Sequence, residues 1–322
     1  MRTHAREPNW GGSPRAGLHL LDQNDTTGVA ESEAVDLAVL IPAFNEVEGI
    51  VRTLAAVREV LEQMTCTTEI LVIDDGSTDG TGDAARACGV RVLSHKTNRG
   101  YGAALRTGVL NTKAAAVVIM DADCTYPPTA IPKLYEQLDD ADMAVGARPM
   151  TSRGIAWIRR PAKWFLNRFA SYLSNRHIPD LNSGQRAMKR EAVMRYLHLL
   201  PSGFSFTSTI TLALLTNGHH VVYLPIDYEV RTGQSKIKAA HFTSFLLLVV
   251  RAIVLFNPLK VFLPIGFLLF LIGSAKLVQD IYLWNLSETA VMAFLAAIVV
   301  WCVGLLADMI SRLQLHTPWR QE

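Results

Sequence analysis

Residues 115–123 read Ala-Ala-Val-Val-Ile-Met-Asp-Ala-Asp, an apolar run that ends in two carboxylates. A short apolar run of this kind predicts a strand buried inside a sheet. Asp121 and Asp123 follow the predicted strand directly. Because Mg²⁺ and Mn²⁺ prefer carboxylate, water and phosphate oxygens, the pattern predicts a divalent-metal site where the strand ends. The same tripeptide is also common in solvated turns, so the surrounding sequence has to support one interpretation.

Four further apolar runs have the same character and alternate with stretches of helical spacing. The predicted strands cover residues 36–41, 69–73, 90–93 and 143–145, and the predicted helices cover residues 46–63, 79–88, 102–110 and 128–138. This alternation predicts an α/β fold with a mainly parallel sheet covered on both faces. Ligands bind at the carboxyl ends of such strands. At those ends Asn45-Glu46 and Asp74-Asp75 join Asp121 and Asp123 on one rim.

The overall composition excludes several classes of protein. Half of the 322 residues are hydrophobic, 19% are charged, and the formal net charge is +2. This balance excludes a strongly cationic nucleic-acid binder, so no nucleic-acid partner is predicted. The four cysteines form no Cys-x-x-Cys pair, which argues against a zinc site or a disulfide framework and fits reduced thiols facing the cytoplasm. Residues 1–34 lack an apolar core segment and are interpreted as a flexible tail, not a signal peptide.

Two segments near the C-terminus are apolar enough to span a membrane. The first covers Val261 to Ala275 and extends to residues 259–284 if Lys276 reaches an interface. The second, Thr289 to Ala307, carries no charge, and a spanning helix needs about 20 such residues. The placement of Lys and Arg predicts a multi-pass protein of the cytoplasmic (inner) membrane, with both ends and the preceding domain in the cytoplasm. A buried helical hairpin of a soluble protein is the alternative.

Three segments lie between the predicted sheet and these spans. Residues 158–173 are predicted to form an amphipathic helix rich in basic and aromatic residues, typical of a membrane surface or an anionic-ligand site. A solvated face with a core stripe is the alternative. The segment Arg231-Thr232-Gly233-Gln234-Ser235-Lys236 predicts a flexible loop that closes on phosphate oxygens, although a basic membrane-flanking loop fits it too. Residues 243–256 are interpreted as an interfacial helix.

Four motifs together resemble the family 2 glycosyltransferases. They are Ile41-Pro42-Ala43-Phe44-Asn45-Glu46, Val72-Ile73-Asp74-Asp75-Gly76-Ser77-Thr78-Asp79, Asn98-Arg99-Gly100-Tyr101-Gly102 and Asp121-Ala122-Asp123. The resemblance covers residues 36–236, and the set is highly specific although each motif alone is weak. Within the family, Asn182-Ser183-Gly184-Gln185-Arg186, the 231–236 loop and the C-terminal spans resemble polyprenyl-phosphate glycosyltransferases such as dolichol-phosphate mannose synthases and undecaprenyl-phosphate glucosyltransferases.

The resemblance implies the nucleotide-sugar-binding α/β fold called GT-A, followed by an interfacial helix and a two-helix transmembrane hairpin. The expected division of the chain is a tail at residues 1–34, the GT-A domain at 35–240, the juxtamembrane helix at 241–258, the hairpin at 259–310 and a C-terminal tail at 311–322.

The resemblance also implies a role for each matching residue. Four residues would contact the nucleoside: Pro42, Phe44, Glu46 and Asp75. The predicted catalytic residues are Asp121, Asp123 and Arg148, where the two carboxylates would hold Mg²⁺ or Mn²⁺ and the sugar diphosphate. Arg148 would contact phosphate, Arg231 and Lys236 would clamp the donor diphosphate, and Arg168 would meet the phosphate of the lipid acceptor.

The implied reaction is inverting transfer of mannose or glucose from a nucleoside-diphosphate sugar to dolichyl or undecaprenyl phosphate, with membrane lipid as a further partner. Mannose synthases commonly carry Gln, a further metal ligand, where Thr125 stands here, and this difference leaves glucose or another hexose open. Acceptors in polysaccharide or glycolipid synthesis, and a non-catalytic membrane adaptor, are the alternatives. The chain lacks the Q-x-x-R-W motif of processive synthases and the G-x-G-x-x-G motif of dinucleotide oxidoreductases. The spacing of Gly266 and Gly273 is compatible with a homo-oligomer.

Overall fold

A seven-stranded mixed sheet organises the N-terminal part of the chain. The computed structural model describes residues 35–148, 167–168, 171–172, 174–203, 205–227, 258–284 and 287–316. The strands are β1 (Leu37–Ala43), β2 (Thr68–Asp74), β3 (Arg91–Ser94), β4 (Ala116–Ile119), β5 (Met143–Ala147), β6 (Arg186–Lys189) and β7 (Val221–Pro225). Their order is β3-β2-β1-β4-β6-β5-β7.

The direction of the strands creates one edge on which loops converge. Within this sheet β6 runs antiparallel to its neighbours β4 and β5, while the other neighbouring strands pair in parallel. The carboxyl ends of six strands and the amino end of β6 therefore lie along the same edge, which we call the carboxyl rim. The predicted mainly parallel sheet is confirmed.

Both faces of this sheet are buried. In β1, Leu37, Val39 and Ile41 belong to one core cluster, and Ala38 and Leu40 belong to another. Successive side chains of a strand point to opposite faces, so this division follows from the strand geometry. A strand with two buried faces has to be apolar throughout, which is why the chain shows a continuous apolar run instead of an alternating pattern.

Among the described residues, six α-helices cover the two faces of the sheet. They are α1 (Val47–Leu61), α2 (Thr81–Ala87), α3 (Tyr101–Asn111), α4 (Ile131–Glu136), α5 (Arg190–Tyr196) and α6 (Phe206–Thr216). In α1, Ile50, Leu54 and Val57 are buried at helical spacing and belong to the core cluster of one face. In α3, Leu105 and Val109 belong to the cluster of the other face. The five predicted strands and four predicted helices are present.

The sequence patterns missed four elements between residues 186 and 225: β6, α5, α6 and β7. β6 reads Arg-Ala-Met-Lys, so it lacks the apolar run that would predict a strand. Its register places Arg186 beside Ile119 of β4 and Val145 of β5. A short strand in the interior of a sheet is stabilised by tertiary packing, and its own composition carries little signal.

The C-terminal part is a hairpin of two long helices, α7 (Leu259–Tyr282) and α8 (Glu288–His316). Within the described residues, these are the two helices long and apolar enough to cross a membrane. Their outward side chains are apolar and exposed, for example Phe267 at 56% and Leu268 at 58%. An apolar surface of this extent suits lipid and not water. The predicted spans agree with the two observed helices, whose length and exposed apolar surface suit a membrane.

Contacts inside the hairpin explain two features of its sequence. Lys276, the charge inside the first predicted span, forms an ion pair with Asp280 in which Nζ and Oδ1 are 3.2 Å apart. A Cβ at Gly266 would collide with the Trp301 ring, and a Cβ at Gly273 would lie 3.2 Å from the Cβ of Ala293. Both glycines therefore allow α7 to approach α8, and the predicted homo-oligomer stays untested.

Several predicted segments lie outside the described residues. They are the tail at 1–34, the phosphate loop at 231–236, the interfacial helix at 243–256 and most of the amphipathic helix at 158–173. Residues 167–168 and 171–172 of the last segment are helical. The predicted domain boundaries stay predictions.

Candidate active site

The acidic turn, which we define as residues 121–125, follows β4 at the carboxyl rim. The hydroxyl of Thr53 in α1 donates to the carbonyl oxygen of Ala122 at 3.1 Å and lies 3.2 Å from Sγ of Cys124. Cys124 has a φ of 58°, in the left-handed region that is uncommon for a residue with a side chain. Such conformations cluster at functional sites, where packing over-determines them. Packing on α1 therefore gives this turn a defined shape.

Asp121 is half-buried and enclosed by two separate parts of the chain. The hydroxyl of Tyr101, the first residue of α3, donates to Oδ1 of Asp121 at 3.0 Å. On the other side, a Cβ built on Gly184 would lie only 2.7 Å from Oδ2. Burial and the negative charge of Asp121 raise the pKa of Tyr101 well above its usual value, so the phenol remains a donor.

Asp123 is also half-buried, and its own turn supports it. The hydroxyl of Thr125 donates to Oδ1 of Asp123 at 2.6 Å, and the backbone N–H of Thr125 donates to the same oxygen at 3.2 Å. In the mannose synthases the corresponding position commonly carries a Gln metal ligand. The structure thus gives Thr125 a different task, which is to orient the carboxylate beside it.

The donor chemistry of the acidic turn fits a hard divalent cation. Asp121 and Asp123 offer carboxylate oxygens, the ligand type that Mg²⁺ and Mn²⁺ prefer. Across the described ranges, the acidic turn included, no group of three His, Cys, Asp or Glu side chains is placed to hold a metal ion. This limited set does not fit a metal enclosed by protein ligands. It fits an ion that keeps water and substrate phosphate oxygens in its remaining positions.

Asp75, which follows β2, has a different environment. Nδ1 of His95 lies 2.6 Å from Oδ1 of Asp75, and the backbone N–H of Arg99 donates to the same oxygen at 2.9 Å. The backbone N–H of Gly100 donates to Oδ2 at 2.8 Å. Asp75 is 3% exposed. Its carboxylate therefore fixes the loop that leads into α3, and the predicted contact with a nucleoside remains untested.

The three residues predicted from the end of β1 lie together at the carboxyl rim. Pro42 is buried inside β1, while Phe44 and Glu46 are half-buried in the loop that follows. The backbone N–H of Glu46 donates to the hydroxyl of Thr81 at 3.0 Å. The loops after β1 and β2 are thereby joined, and they form one wall at the rim.

The four cations predicted to bind phosphate differ in where the structure places them. Arg148 is held by Asp180, with 2.7 Å between Nε and Oδ2 and 3.1 Å between Nη2 and Oδ1. The sequence did not predict this bidentate pair. Arg168 is exposed. Arg231 and Lys236 lie outside the described residues.

Arg186 is a residue of this region that sequence reasoning missed. It is fully buried at the amino end of β6, and its Nη1 donates to the carbonyl oxygen of Thr207 at 2.8 Å and to the hydroxyl of Thr211 at 2.9 Å. Its Nη2 donates to the carbonyl oxygen of Ser183. Nε has no hydrogen-bond partner among the described residues. A sequence pattern does not distinguish a buried arginine from an exposed one. The place of Arg186 in the Asn182–Arg186 motif was therefore the only sequence feature that pointed to it.

Two family models match the two parts of the chain. Residues 38–197 match the family model described as Glycosyl transferase family 2. Residues 257–313 match the model described as GtrB C-terminal hairpin.

Three curated relatives match nearly two thirds of the chain. Polyprenol monophosphomannose synthase of Mycolicibacterium smegmatis is 32% identical over 219 residues, which are 63% of this chain and 81% of that protein. Dolichyl-phosphate hexose transferase of Haloferax volcanii is 30% identical over 204 residues, covering 63% and 86%. Undecaprenyl-phosphate mannosyltransferase of Micrococcus luteus is 29% identical over 212 residues, covering 62% and 86%.

A similar solved structure is that of glucosyl-3-phosphoglycerate synthase from Mycobacterium tuberculosis, crystallised with Mn²⁺, UDP and glucosyl-3-phosphoglycerate. The TM-score is 0.52 at 20% identity, over 68% of this chain and 78% of that one. At this identity the likeness establishes the GT-A fold alone.

Proposed function

The chain belongs to the family 2 glycosyltransferases, and from that membership we propose that it transfers a hexose from a nucleoside-diphosphate sugar to a polyprenyl phosphate. It is a glycosyltransferase and a membrane protein. The proposal concerns the two substrates, the metal ion and the orientation in the membrane.

One observation carries the proposal. A single chain combines an acidic turn at the carboxyl rim of a GT-A sheet with a hairpin whose outer surface is apolar. A transferase with a water-soluble acceptor has no need of such a hairpin. An acceptor with a polyprenyl tail stays in the bilayer, so the enzyme has to bring its rim to the lipid headgroups. The names of the three relatives, each of which includes a polyprenyl-type phosphate or polyprenol, support the same class of acceptor.

The chemistry we propose is a single inverting displacement. An oxygen of the acceptor phosphate forms a bond to the anomeric carbon while the bond from that carbon to the diphosphate oxygen breaks. A phosphate monoester has its second pKa near ~6, so the acceptor is largely ionised at neutral pH. A strong general base is therefore unnecessary, and the task of the protein is to align the two substrates and stabilise the leaving group.

On the donor side, the acidic turn would bind the divalent ion. The ion, Mg²⁺ or Mn²⁺, would neutralise charge on the diphosphate when it is bound. Asp121 and Asp123 would hold it in the orientations set by Tyr101 and Thr125. Pro42, Phe44, Glu46 and Asp75 are proposed for the nucleoside side of the rim.

The proposed phosphate contacts come from four cations: Arg148, Arg168, Arg231 and Lys236. Because Asp180 holds the guanidinium of Arg148 in a bidentate pair, a phosphate contact from Arg148 would use a group that is already oriented. Arg231 and Lys236 would clamp the diphosphate, and Arg168 would meet the acceptor phosphate. We place the catalytic domain on the cytoplasmic side of the inner membrane, where nucleotide sugars are made.

The test is an assay of lipid-linked sugar transfer. The full chain, purified in detergent, is incubated with undecaprenyl phosphate, Mn²⁺ or Mg²⁺ and labelled GDP-mannose, UDP-glucose or other nucleotide sugars in turn. Label entering the organic phase from one donor supports the proposal and names the sugar. The matched control is Asp123→Asn, which keeps the size of the side chain and removes its charge.

The other results would point to the alternatives. Metal-dependent nucleotide binding without transfer from any donor would contradict the polyprenyl-phosphate acceptor and favour a polysaccharide or glycolipid acceptor. An absence of both nucleotide binding and transfer would favour the adaptor.

A further inference from the structure

Two elements far apart in sequence flank the carboxylate of Asp121. The phenol of Tyr101 donates to Oδ1 at 3.0 Å, and Gly184 lies so near Oδ2 that a Cβ there would come within 2.7 Å of it. The terminal torsion of an aspartate is broad, so an unsupported carboxylate samples many orientations. The hydrogen bond at Oδ1 restricts this torsion to a narrow range, and the lack of a side chain on Gly184 leaves the space that Oδ2 occupies in that orientation.

The phenol of Tyr101 is itself held at a fixed position. The residue before it, Gly100, donates its backbone N–H to Asp75, and the N–H of Ala103 donates to the carbonyl oxygen of Ser202 at 3.1 Å. The first turn of α3 is thus tied to the loop after β2 and to the segment before α6. Tyr101 cannot follow Asp121 if that carboxylate turns, so the hydrogen bond acts as a restraint.

We propose that Tyr101 is a positioning residue for the metal-binding carboxylate Asp121. The inference rests on the proposed function and adds a residue to it. Tyr101 sets the orientation of Asp121 before the ion and nucleotide arrive, and the loop tied by Asp75 sets the place of Tyr101. Outer hydrogen-bond partners of metal ligands typically change metal affinity by 10–100-fold when they are removed.

The matched pair of variants is Tyr101→Phe and Tyr196→Phe. Each removes one hydroxyl and keeps the ring. The hydroxyl of Tyr196 lies 3.1 Å from Nε2 of His219, whose ring is also held by Asp142 near the amino ends of β5 and β7. Tyr196 therefore controls for the general loss of a tyrosine hydrogen bond at the opposite edge of the sheet.

The measurement is calorimetric binding of GDP and of UDP to the full chain in detergent, with and without Mn²⁺. Tyr101→Phe is expected to raise the Mn²⁺ concentration for half-maximal nucleotide binding by about tenfold. Tyr196→Phe should leave this concentration unchanged, and neither substitution should change nucleotide affinity without metal. The thermal midpoints of both variants are measured alongside.

Three results would overturn the inference. An unchanged Mn²⁺ requirement in Tyr101→Phe would show that the hydrogen bond does not position Asp121. An equal loss of nucleotide affinity with and without Mn²⁺ would assign Tyr101 to the nucleotide pocket instead. Absence of Mn²⁺-dependent binding of GDP or UDP in the unsubstituted chain would overturn the metal site of the proposed function, and the inference with it.

Discussion

Two acidic segments follow strands β2 and β4 of the same sheet, yet their environments differ. Asp74 ends β2 and Asp75 follows it, and these two residues are 7% and 3% exposed. Asp121 and Asp123 follow β4 and are half-buried. Both segments lie on the carboxyl rim, where either of them would be an acceptable ligand site. Residue type and position in the sheet therefore do not determine which of them binds a metal ion.

The hydrogen-bond partners of the two segments explain the difference. Asp75 accepts bonds from two backbone N–H groups and faces the ring of His95, so its charge stabilises a loop. Hydrogen bonds to a charged acceptor are stronger than those between neutral groups. In the acidic turn, the hydroxyl of Tyr101 donates to Asp121 and the hydroxyl of Thr125 donates to Asp123. A carboxylate supported by hydroxyl groups keeps its orientation and can still give oxygen to an ion.

The largest effect is expected for Asp123→Asn. Loss of a ligand charge should reduce sugar transfer by about 10²–10³-fold, or about 3–4 kcal/mol of transition-state stabilisation. The thermal midpoint should stay close to that of the parent, because an amide oxygen can still accept from Thr125. Transfer rate and melting are both measured on the full chain in detergent.

Asp139→Asn, at an exposed position after α4, is the control for Asp123→Asn and should keep full activity. Full turnover by Asp123→Asn would remove the distinction between the two acidic segments.

For Asp75→Asn we expect the opposite pattern, in which the stability of the protein falls. A neutral side chain here weakens hydrogen bonds to a charged group that is almost fully buried, so the free energy of unfolding should fall by about 2–3 kcal/mol. For a domain of this size that corresponds to a drop of roughly 7 °C in the thermal midpoint. An unchanged midpoint combined with lost nucleotide binding would instead support the predicted nucleoside contact of Asp75.

Sequence reasoning recovered what local patterns encode. The apolar run before Asp121 predicted β4, and the strand end predicted where the carboxylates would lie. The pairing of Arg148 with Asp180 joins residues 32 positions apart, and the sequence around neither residue predicts it. The burial of Arg186 depends on β6, which has no apolar run of its own. Such contacts arise from tertiary packing, so single-sequence patterns leave them undetermined.

Two glycine substitutions test the same difference between the two acidic segments, with smaller expected effects. A Cβ on Gly184 would lie 2.7 Å from Oδ2 of Asp121, and a Cβ on Gly82 would lie 2.5 Å from Oδ2 of Asp74. Gly184→Ala should raise the Mn²⁺ requirement for nucleotide binding by about tenfold, because it would turn the carboxylate that we propose as a metal ligand.

Gly82→Ala should instead lower the free energy of unfolding by about 1 kcal/mol. The clash of 1–3 kcal/mol typical of overpacking is partly offset by the helix preference of alanine, worth up to about 1 kcal/mol. Nucleotide binding and melting are measured for both variants. If the two substitutions had the same effect, the two acidic segments would share one role.

The smallest effect is expected at Asp79, in the loop between β2 and α2. Its Oδ2 accepts the backbone N–H of Val47 at 3.1 Å, and its Oδ1 accepts the N–H of Thr81 at 3.0 Å and the Thr81 hydroxyl. Burial opposes ionisation, but the hydrogen bonds from Thr81 and Val47 outweigh it and lower the pKa of Asp79 below its usual value. Since the folded state lowers this pKa, the stabilisation is complete above the unfolded pKa of about 3.9 and is lost as the pH falls further.

Asp79→Asn should therefore lower the thermal midpoint slightly at pH 7, by the equivalent of less than about 1 kcal/mol, because Asn is itself a good acceptor at helix starts. The difference from the parent should shrink as the pH falls below about 4, where the parent carboxyl becomes neutral as well. Asp83→Asn, which removes an exposed ion pair with Arg86, should differ little from the parent at any pH in this range. A difference at Asp79 that stayed constant from pH 7 to pH 3 would mean that the charge of Asp79 contributes nothing to the stability of the protein.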